Sequence, residues 1–407
     1  MRVLMACAAF PPFVDGGGPI SALLLAKMLQ EEGHDLRVIN TADAAEHDTL
    51  EGIEVHRIQP TNVYWNYRRP RPVWKKLAWH ALENGNPRAY AAMRREIRAF
   101  APDILLTDSI ENINVASWAA ARSLGVPVAH TLRSAFLMCW RGVMQKNGRN
   151  CDGQCTTCWM ASLGKKYFTR YVDGVCGETR DVISRHVERG YFPNALSRCI
   201  PGAIEEIAAT APRTAPSKRA MRVGFLGVHT RFKGLDVLGR AAERLGDCAL
   251  EFHVAGTGTA DDEKALRAQF PRDRTRFWGW ADPQAFFPEV DVLVFPSIGR
   301  EAFGRVAVEA FAHAVPVIGS DLGGIAETVE PGHNGLLFAP GDADALADSL
   351  RRLSAAPDLY EHLSLGALES AQTYLRPRIA ALYTAFLEDT LRRHARQAPA
   401  PHREVAL

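Results

Sequence analysis

Short apolar runs recur along the chain, separated by stretches whose apolar residues return every three or four positions. In the first half the runs predict strands near Arg2–Cys7, Asp35–Asn40, Ile53–Arg57, Asp103–Thr107, Val126–Thr131 and Gly174–Gly177. Between them, Ser21–Glu32 and Pro87–Phe100 have the periodicity of amphipathic helices. In the second half strands are expected near Arg222–Val228, Leu250–Ala255, Thr275–Trp278, Val290–Phe295 and Val315–Ile318. Alternating β and α units build parallel sheets covered on both faces. Thr210–Arg219, rich in Pro, Ala and charge, separates the two series and reads as a linker. The fold class that follows is α/β, with two doubly wound Rossmann-like domains. Ligands are expected in the cleft at the carboxyl ends of both sheets.

The most informative stretch is Phe295–Asp342, FPSIGREAFGRVAVEAFAHAVPVIGSDLGGIAETVEPGHNGLLFAPGD. Glu301 precedes a glycine turn, Phe303-Gly304-Arg305, and Glu309 lies in the apolar helical run that follows. A strand and a second glycine turn, Asp321-Leu322-Gly323-Gly324, come next. Helix N-termini after such turns offer free N–H groups and partial positive charge, which suits a diphosphate. Two glutamates eight positions apart on a helix lie about 12 Å apart. That is too far for an acid/base pair, which needs roughly 5–9.5 Å. It suits carboxylates gripping the two ends of an extended polar ligand, and a helix with a solvated Glu at each end is the plain alternative.

This block resembles the donor-binding domain of glycosyltransferase family 4, retaining enzymes of the GT-B fold. The residues that carry the likeness are Pro296-Ser297, Glu301, Phe303-Gly304, Glu309-Ala310, Ala312, Pro316-Val317, Asp321, Gly323-Gly324, Glu327 and Gly332/Gly335. The family's usual Gly before Pro-Val is replaced by Ala314, a change expected to touch packing alone. The resemblance implies that Glu309 holds the ribose hydroxyls and Glu301 the hydroxyls of the transferred sugar. It implies that N–H groups around Phe303, Gly304 and Arg305 meet the diphosphate and sugar. It also implies front-face retention, with the leaving phosphate helping to deprotonate the acceptor and no catalytic divalent metal.

Other parts of the chain fit the same pattern with departures. Gly227-Val-His-Thr-Arg-Phe-Lys-Gly234 matches the family's G-R-x-x-x-x-K-G at Lys233-Gly234, but Val228 stands where Arg is usual, and Arg231 is the substitute. Both cations suit a diphosphate, Arg in a forked geometry; a solvated turn is the alternative. Gly256-Thr257-Gly258 resembles the G-x-G turn that lets backbone approach the nucleotide, and Phe277–Asp282 is expected to frame the base. Gly16-Gly17 and Gly33-His34 resemble the family's opening, so a loop at Gly16–Gly18 is expected under the sugar and departing phosphate.

Aligned on Thr131, the family's His near the transferred sugar is here Arg133. A guanidinium does not act as a base, but it steadies a phosphate or a carboxylated sugar. His130 is nearby, either catalytic or structural, since its side chain points away from a residue one or three along the strand.

Cys139, Cys151, Cys155 and Cys158 cluster as C-x11-C-x3-C-x2-C in an insertion at 139–160. Four thiolates suit a structural zinc or an iron–sulfur cluster; free or redox-active thiols are the alternative. Tyr64–His80 mixes aromatics with Arg and Lys and offers an acceptor rim or a peripheral membrane contact, against the plain reading of a loop entering an amphipathic helix.

Length and charge agree with this picture. The chain has 407 residues and a formal net charge of +2, so two domains are expected and no global field calls for nucleic acid. The opening MRVLMACAAFPP reads as a first strand and not a signal peptide, and no long apolar run spans a membrane, so a cytoplasmic enzyme is expected, with peripheral membrane contact through 64–80 as the variant. The expected boundaries are 1–208 for the acceptor-side domain and 209–378 for the donor-binding domain. A helix from 379 should return to the first domain, ahead of a disordered tail to 407.

The expected reaction is retaining transfer of a sugar from a nucleotide diphosphate donor (UDP-, GDP- or dTDP-linked). The acceptor is a hydroxyl-bearing glycan, lipid-linked saccharide or small molecule. An epimerase or hydrolase on the same fold, and a non-catalytic sugar-nucleotide sensor, are the alternatives. A dehydrogenase is disfavoured because no G-x-G-x-x-G follows the first strand.

Overall fold

In the computed structural model the described residues are 1–13, 16–65, 71–246 and 248–397. The first sheet comprises β1 (Arg2–Cys7), β2 (Asp35–Thr41), β3 (Glu46–Leu50), β4 (Ile53–Ile58), β5 (Ile104–Asp108) and β6 (Val128–Leu132). After a small hairpin of β7 (Gln145–Lys146) and β8 (Arg149–Asn150), β9 (Gly174–Gly177) and β10 (Leu196–Cys199) complete it. Its order is β10-β9-β6-β5-β1-β2-β4-β3, parallel except for the antiparallel β3–β4 pair. The second sheet holds β11 (Met221–Leu226), β12 (Leu250–Ala255), β13 (Thr275–Gly279), β14 (Val292–Phe295), β15 (Val317–Ser320) and β16 (Gly335–Phe338). It is all parallel, in the order β13-β12-β11-β14-β15-β16.

The expected central strands are all present, shifted at their ends by a residue or two. β3, β7, β8, β10 and β16 lie outside the strands expected from the sequence. β3 (EHDTL) is exposed along most of its length, and β10 (LSRC) carries little apolar character, so neither has a buried-strand pattern.

Each sheet reverses its winding once. In the first, the chain runs from β1 toward β2 and β4, then returns to the other side for β5, β6 and β9. In the second it runs from β11 to β12 and β13, then returns for β14 to β16. The crevices at these switch points, between β1 and β5 and between β11 and β14, are where doubly wound sheets bind ligands. The loops after β1, β6, β11 and β14 carry most of the residues singled out above.

Helix Arg376–Gln397 crosses back to the first sheet. Its Ile379, Tyr383, Phe386 and Leu387 are buried in one cluster with Val3, Met5 and Leu25. The two domains also meet directly. Thr179 donates to the Ala302 carbonyl at 2.7 Å, and Asn150 donates to the Ile298 carbonyl at 2.7 Å. The Glu327 carboxylate accepts from the N–H groups of Arg180 and Asp181 at 2.8 and 2.6 Å. A side chain from one domain thus caps the opening turn of helix Arg180–Val187 in the other.

Candidate active site

The first-domain floor of the cleft is a helix start. The backbone leaves β1, and helix Gly17–Glu31 begins at Gly17 with no side chain capping it. Gly17 and Gly18, expected in a loop, instead form the opening turn, because Gly16 with φ 153° makes the entry. An uncapped N-terminus of this length directs N–H groups and positive potential into the cleft.

Facing it is a second uncapped start, helix Arg305–Ala312, entered through Gly304 at φ 94°. A side chain at Gly304 would meet Ile325 Cδ1 at 2.4 Å, so the turn demands glycine on both counts. Phe303 is buried, its ring packed in the second-domain core and against Gly202 of the first domain.

The two glutamates are each held by a cation. Lys233 Nζ lies 2.8 Å from Glu301 Oε1, and Ser297 Oγ donates to the same oxygen at 2.9 Å. Arg305 Nε donates to Glu309 Oε1 at 2.7 Å. Burial raises the Glu309 pKa, and Arg305 opposes that rise without cancelling it. Arg305 also reaches the first domain, with Nη1 3.5 Å from Ser21 Oγ and Cδ 4.0 Å from the point where a Gly17 side chain would begin. The structure therefore gathers Gly16, Gly17, Lys233, Glu301, Phe303, Gly304, Arg305 and Glu309 around the cleft.

Gly256, expected to let backbone approach the nucleotide, is required by packing within its own domain. A Cβ there would lie 1.8 Å from the Gly227 carbonyl, so the glycine lets two turns of the same domain touch. The neighbouring His229 hydrogen-bonds Glu263 at 2.5 Å, and Glu263 also accepts from Gly258 N–H at 3.0 Å. Val228 is half exposed. Arg231 leans toward the first domain, where a side chain at Gly148 would meet its guanidinium carbon at 3.4 Å.

Arg133 is not a free cation. Its Nε donates to Asp108 at 2.5 Å and its Nη1 to Glu178 at 2.6 Å. Burial opposes its charge, but the two carboxylates outweigh burial and hold it firmly protonated. It lines a cavity beside Glu301 while locked between the ends of β5 and β9. Neither partner was foreseen: each is a lone carboxylate at a strand end, brought to Arg133 only by strand order.

His130 belongs to the core and not to the cleft. Its Nδ1 shares a hydrogen bond with Thr107 Oγ1 at 2.8 Å, and its ring packs between Trp118 and Phe192. Burial lowers its pKa to about 3, with His186 adding to the effect.

The cysteine segment places the sulfurs of Cys139 and Cys158 3.7 Å apart, both buried, with Cys151 and Cys155 partly buried against the same cluster. Among the described residues no three His, Cys, Asp or Glu side chains are disposed to hold one metal ion. The segment's hairpin, β7–β8, carries the Asn150 and Gly148 contacts to the second domain, so it bridges the cleft.

Part of Tyr64–His80 (residues 66–70) lies outside the described residues. The rest includes helix Val73–Leu82, where Trp79 is buried while Val73, Trp74 and Leu77 are exposed beside Lys75 and Lys76. Among the described residues no helix is long and apolar enough to cross a membrane.

With this geometry in hand, the relatives are informative. A family model for a glycosyl transferase 4-like domain matches residues 16–202, and one for glycosyl transferases group 1 matches residues 220–356. A D-inositol 3-phosphate glycosyltransferase from Streptomyces bingchenggensis is 35% identical over 311 residues, 69% of this chain and 65% of that one. An uncharacterized 42.6 kDa protein in the cps region of Klebsiella pneumoniae is 27% identical over 331 residues, 80% of this chain and 87% of that one. Among solved structures, sucrose-phosphate synthase from Thermosynechococcus elongatus superposes with a TM-score of 0.74 at 20% identity, covering 96% of this chain and 99% of that one. The Anabaena protein HepE in complex with UDP superposes with a TM-score of 0.71 at 18% identity, covering 96% and 100%. At these identities the two structures share the fold.

Proposed function

Because the chain belongs to the family 4 type of glycosyltransferases and has the GT-B fold, we propose that it moves a sugar from a nucleotide diphosphate donor to a hydroxyl-bearing acceptor with retention. The observation that carries this reading is the double ion pair in the cleft, Lys233–Glu301 and Arg305–Glu309, set between two uncapped helix starts. Without ligand, each cation neutralises its own carboxylate. A nucleotide sugar supplies a partner for both halves of each pair. Its diphosphate takes Lys233, Arg305 and the helix N–H groups, while its hydroxyls donate to the carboxylates. Glu309 then takes the ribose and Glu301 the transferred sugar.

In this reading the C1–O bond to the diphosphate lengthens as the diphosphate charge grows, and the cations meet that charge where it develops. The acceptor oxygen bonds to C1 on the same face, and its proton passes to the departing phosphate oxygen. Arg133, clamped by Asp108 and Glu178, is a positioning residue that fixes the first-domain wall. HepE is a structural neighbour seen with UDP, which supports a nucleotide donor.

The test is a thermal-shift panel of UDP-, GDP- and dTDP-sugars on the full chain. A ligand at 100 times its dissociation constant adds about 2.7 kcal/mol of stability. Donor consumption with and without acceptor separates transfer from hydrolysis, and the proton spectrum of the new anomeric centre reads the stereochemistry. A panel without any stabilising nucleotide would count against the whole assignment.

A further inference from the structure

Beside Glu301, on the side facing the first domain, lies a cavity of about 160 Å³. Ser134, Met138 and Val143 form part of its wall, and Asp181, Arg185 and Arg300 supply its charge. The donor contacts described above account for none of these six residues.

The charged groups are unevenly matched. Arg300 Nη1 lies 2.9 Å from Asp181 Oδ1, and Arg185 Nη1 lies 3.6 Å from Asp181 Oδ2. Two guanidiniums thus share one carboxylate. Arg185 Nη2 is directed at the thioether of Met144, 2.8 Å away. A thioether is a weak acceptor, so a half-buried cation is left with poor company. Burial lowers the Arg185 pKa, Asp181 works against that, and Arg300 and Arg189 lower it further. Around Arg185 cations therefore outnumber anions. The two remaining charged residues on the wall are already paired: Glu301 with Lys233, and Arg133 with Asp108 and Glu178.

We propose that this cavity is the acceptor site and that it selects an acceptor bearing an anionic group, a phosphate or a carboxylate, bound by Arg185 and Arg300 together. The inference rests on the transferase reading and adds the chemical class of the acceptor. Guanidinium forks match the oxygen geometry of both anions. The incoming group replaces the thioether at Arg185 Nη2 and shares the two cations with Asp181. A sugar held this way has its hydroxyls beside Glu301, where the transferred sugar is expected. Arg300 comes from the donor domain and Arg185 from the acceptor domain, so an anion between them also draws the domains together.

Calorimetry on the full chain tests this, with glucose, glucose 6-phosphate and glucuronate as probes, with and without saturating UDP. We expect at least one charged sugar to bind tenfold or more tightly than glucose, and the phosphate and carboxylate arms say which anion is preferred. Arg185→Met should abolish the preference while UDP affinity stays within twofold, and Arg185→Lys should keep part of it. Arg300→Gln provides an independent second variant should Arg185→Met fold poorly. Equal binding of charged and neutral sugars, absence of binding by all three, or a preference that survives both Arg185→Met and Arg300→Gln overturns the inference. If UDP binds and the charged sugars show no advantage, only the acceptor class is lost. If UDP does not bind, the failure lies with the donor reading instead.

Discussion

Lys233 Nζ and Glu301 Oε1 sit 2.8 Å apart, joining the turn after β11 to the turn after β14 across the switch point of the second sheet. Strand order makes this pair: the two residues are distant in sequence, but β11 and β14 are neighbours. The pair is partly exposed, so its worth to stability is small, about 0–1 kcal/mol. In the proposed function its importance is that both members exchange partners when the donor binds. We expect Lys233→Ala to weaken a nucleoside diphosphate by roughly tenfold or more, since hydrogen bonds to charged groups contribute about 1.5–3 kcal/mol, and to leave the free nucleoside unaffected. Glu301→Gln should lower turnover more than nucleotide affinity. Calorimetry with diphosphate and nucleoside separates charge from folding: an equal loss for both ligands in the Lys233 variant would show that Lys233 acts through structure.

The second pair predicts a pH dependence. Glu309 has its pKa raised by burial despite Arg305. If its carboxylate accepts from the ribose hydroxyls, nucleotide affinity should be full well above that raised pKa and fall as pH drops through it. Stability runs the other way: with the folded pKa above the unfolded value, this group's contribution is full below the unfolded pKa and shrinks as pH rises through the folded one. Glu309→Gln should remove both trends and weaken the nucleotide at neutral pH. A nucleotide affinity indifferent both to pH between 4 and 7 and to the Glu309→Gln change (a pH range chosen about the ordinary carboxylate value) would remove the ribose assignment.

Much of this site was legible because its residues lie in short, glycine-marked turns after apolar runs. Gly304, Glu301 and Glu309 keep their order along one segment, so spacing alone brings them to the cleft. Long-range partners were not legible: Asp108 and Glu178 meet Arg133 only because β5, β6 and β9 are adjacent. At His130 alternation gives a direction but not the rings that enclose it, so the sequence is compatible with two roles. At Ala314 the sequence predicts a packing change alone, yet the residue adopts φ 54°, the left-handed region that glycine occupies without strain. The cysteine spacing showed a cluster but not the hairpin that the cluster anchors across the cleft.

Helix Val73–Leu82 offers a test of surface chemistry. Val73, Trp74 and Leu77 are 72%, 64% and 60% exposed, and Lys75 and Lys76 adjoin them. If this face meets an anionic lipid surface, each lysine near the surface contributes about 1 kcal/mol and the apolar side chains enter the interface. In sedimentation with vesicles, the protein should pellet with phosphatidylglycerol-containing vesicles more than with phosphatidylcholine alone, and less at high salt. Trp74→Ser with Leu77→Ser should leave it in the supernatant with its melting temperature unchanged, because both side chains are exposed. Equal pelleting of the double variant would assign the contact elsewhere.

The core histidines predict how the fold responds to acid. His130 and His186 are both buried, and burial lowers their pKa values to about 3 and about 4. In the unfolded chain each would take up a proton near pH 6.5. Between that value and its folded pKa, the unfolded state binds the extra proton and the folded state does not. The stability each group contributes is therefore full above about pH 6.5 and is lost as pH falls toward the folded pKa, at a limiting slope of about 1.4 kcal/mol per pH unit per group. His130→Phe fits a ring into the same aromatic surroundings but gives up the hydrogen bond to Thr107. We expect this variant to be less stable at pH 7 by about 1 kcal/mol, to lose stability less steeply on acidification, and to keep its nucleotide affinity. Urea unfolding at a series of pH values measures both effects. An acid slope unchanged in His130→Phe would mean that His130 is protonated in the folded state, and lost nucleotide affinity would return it to the cleft.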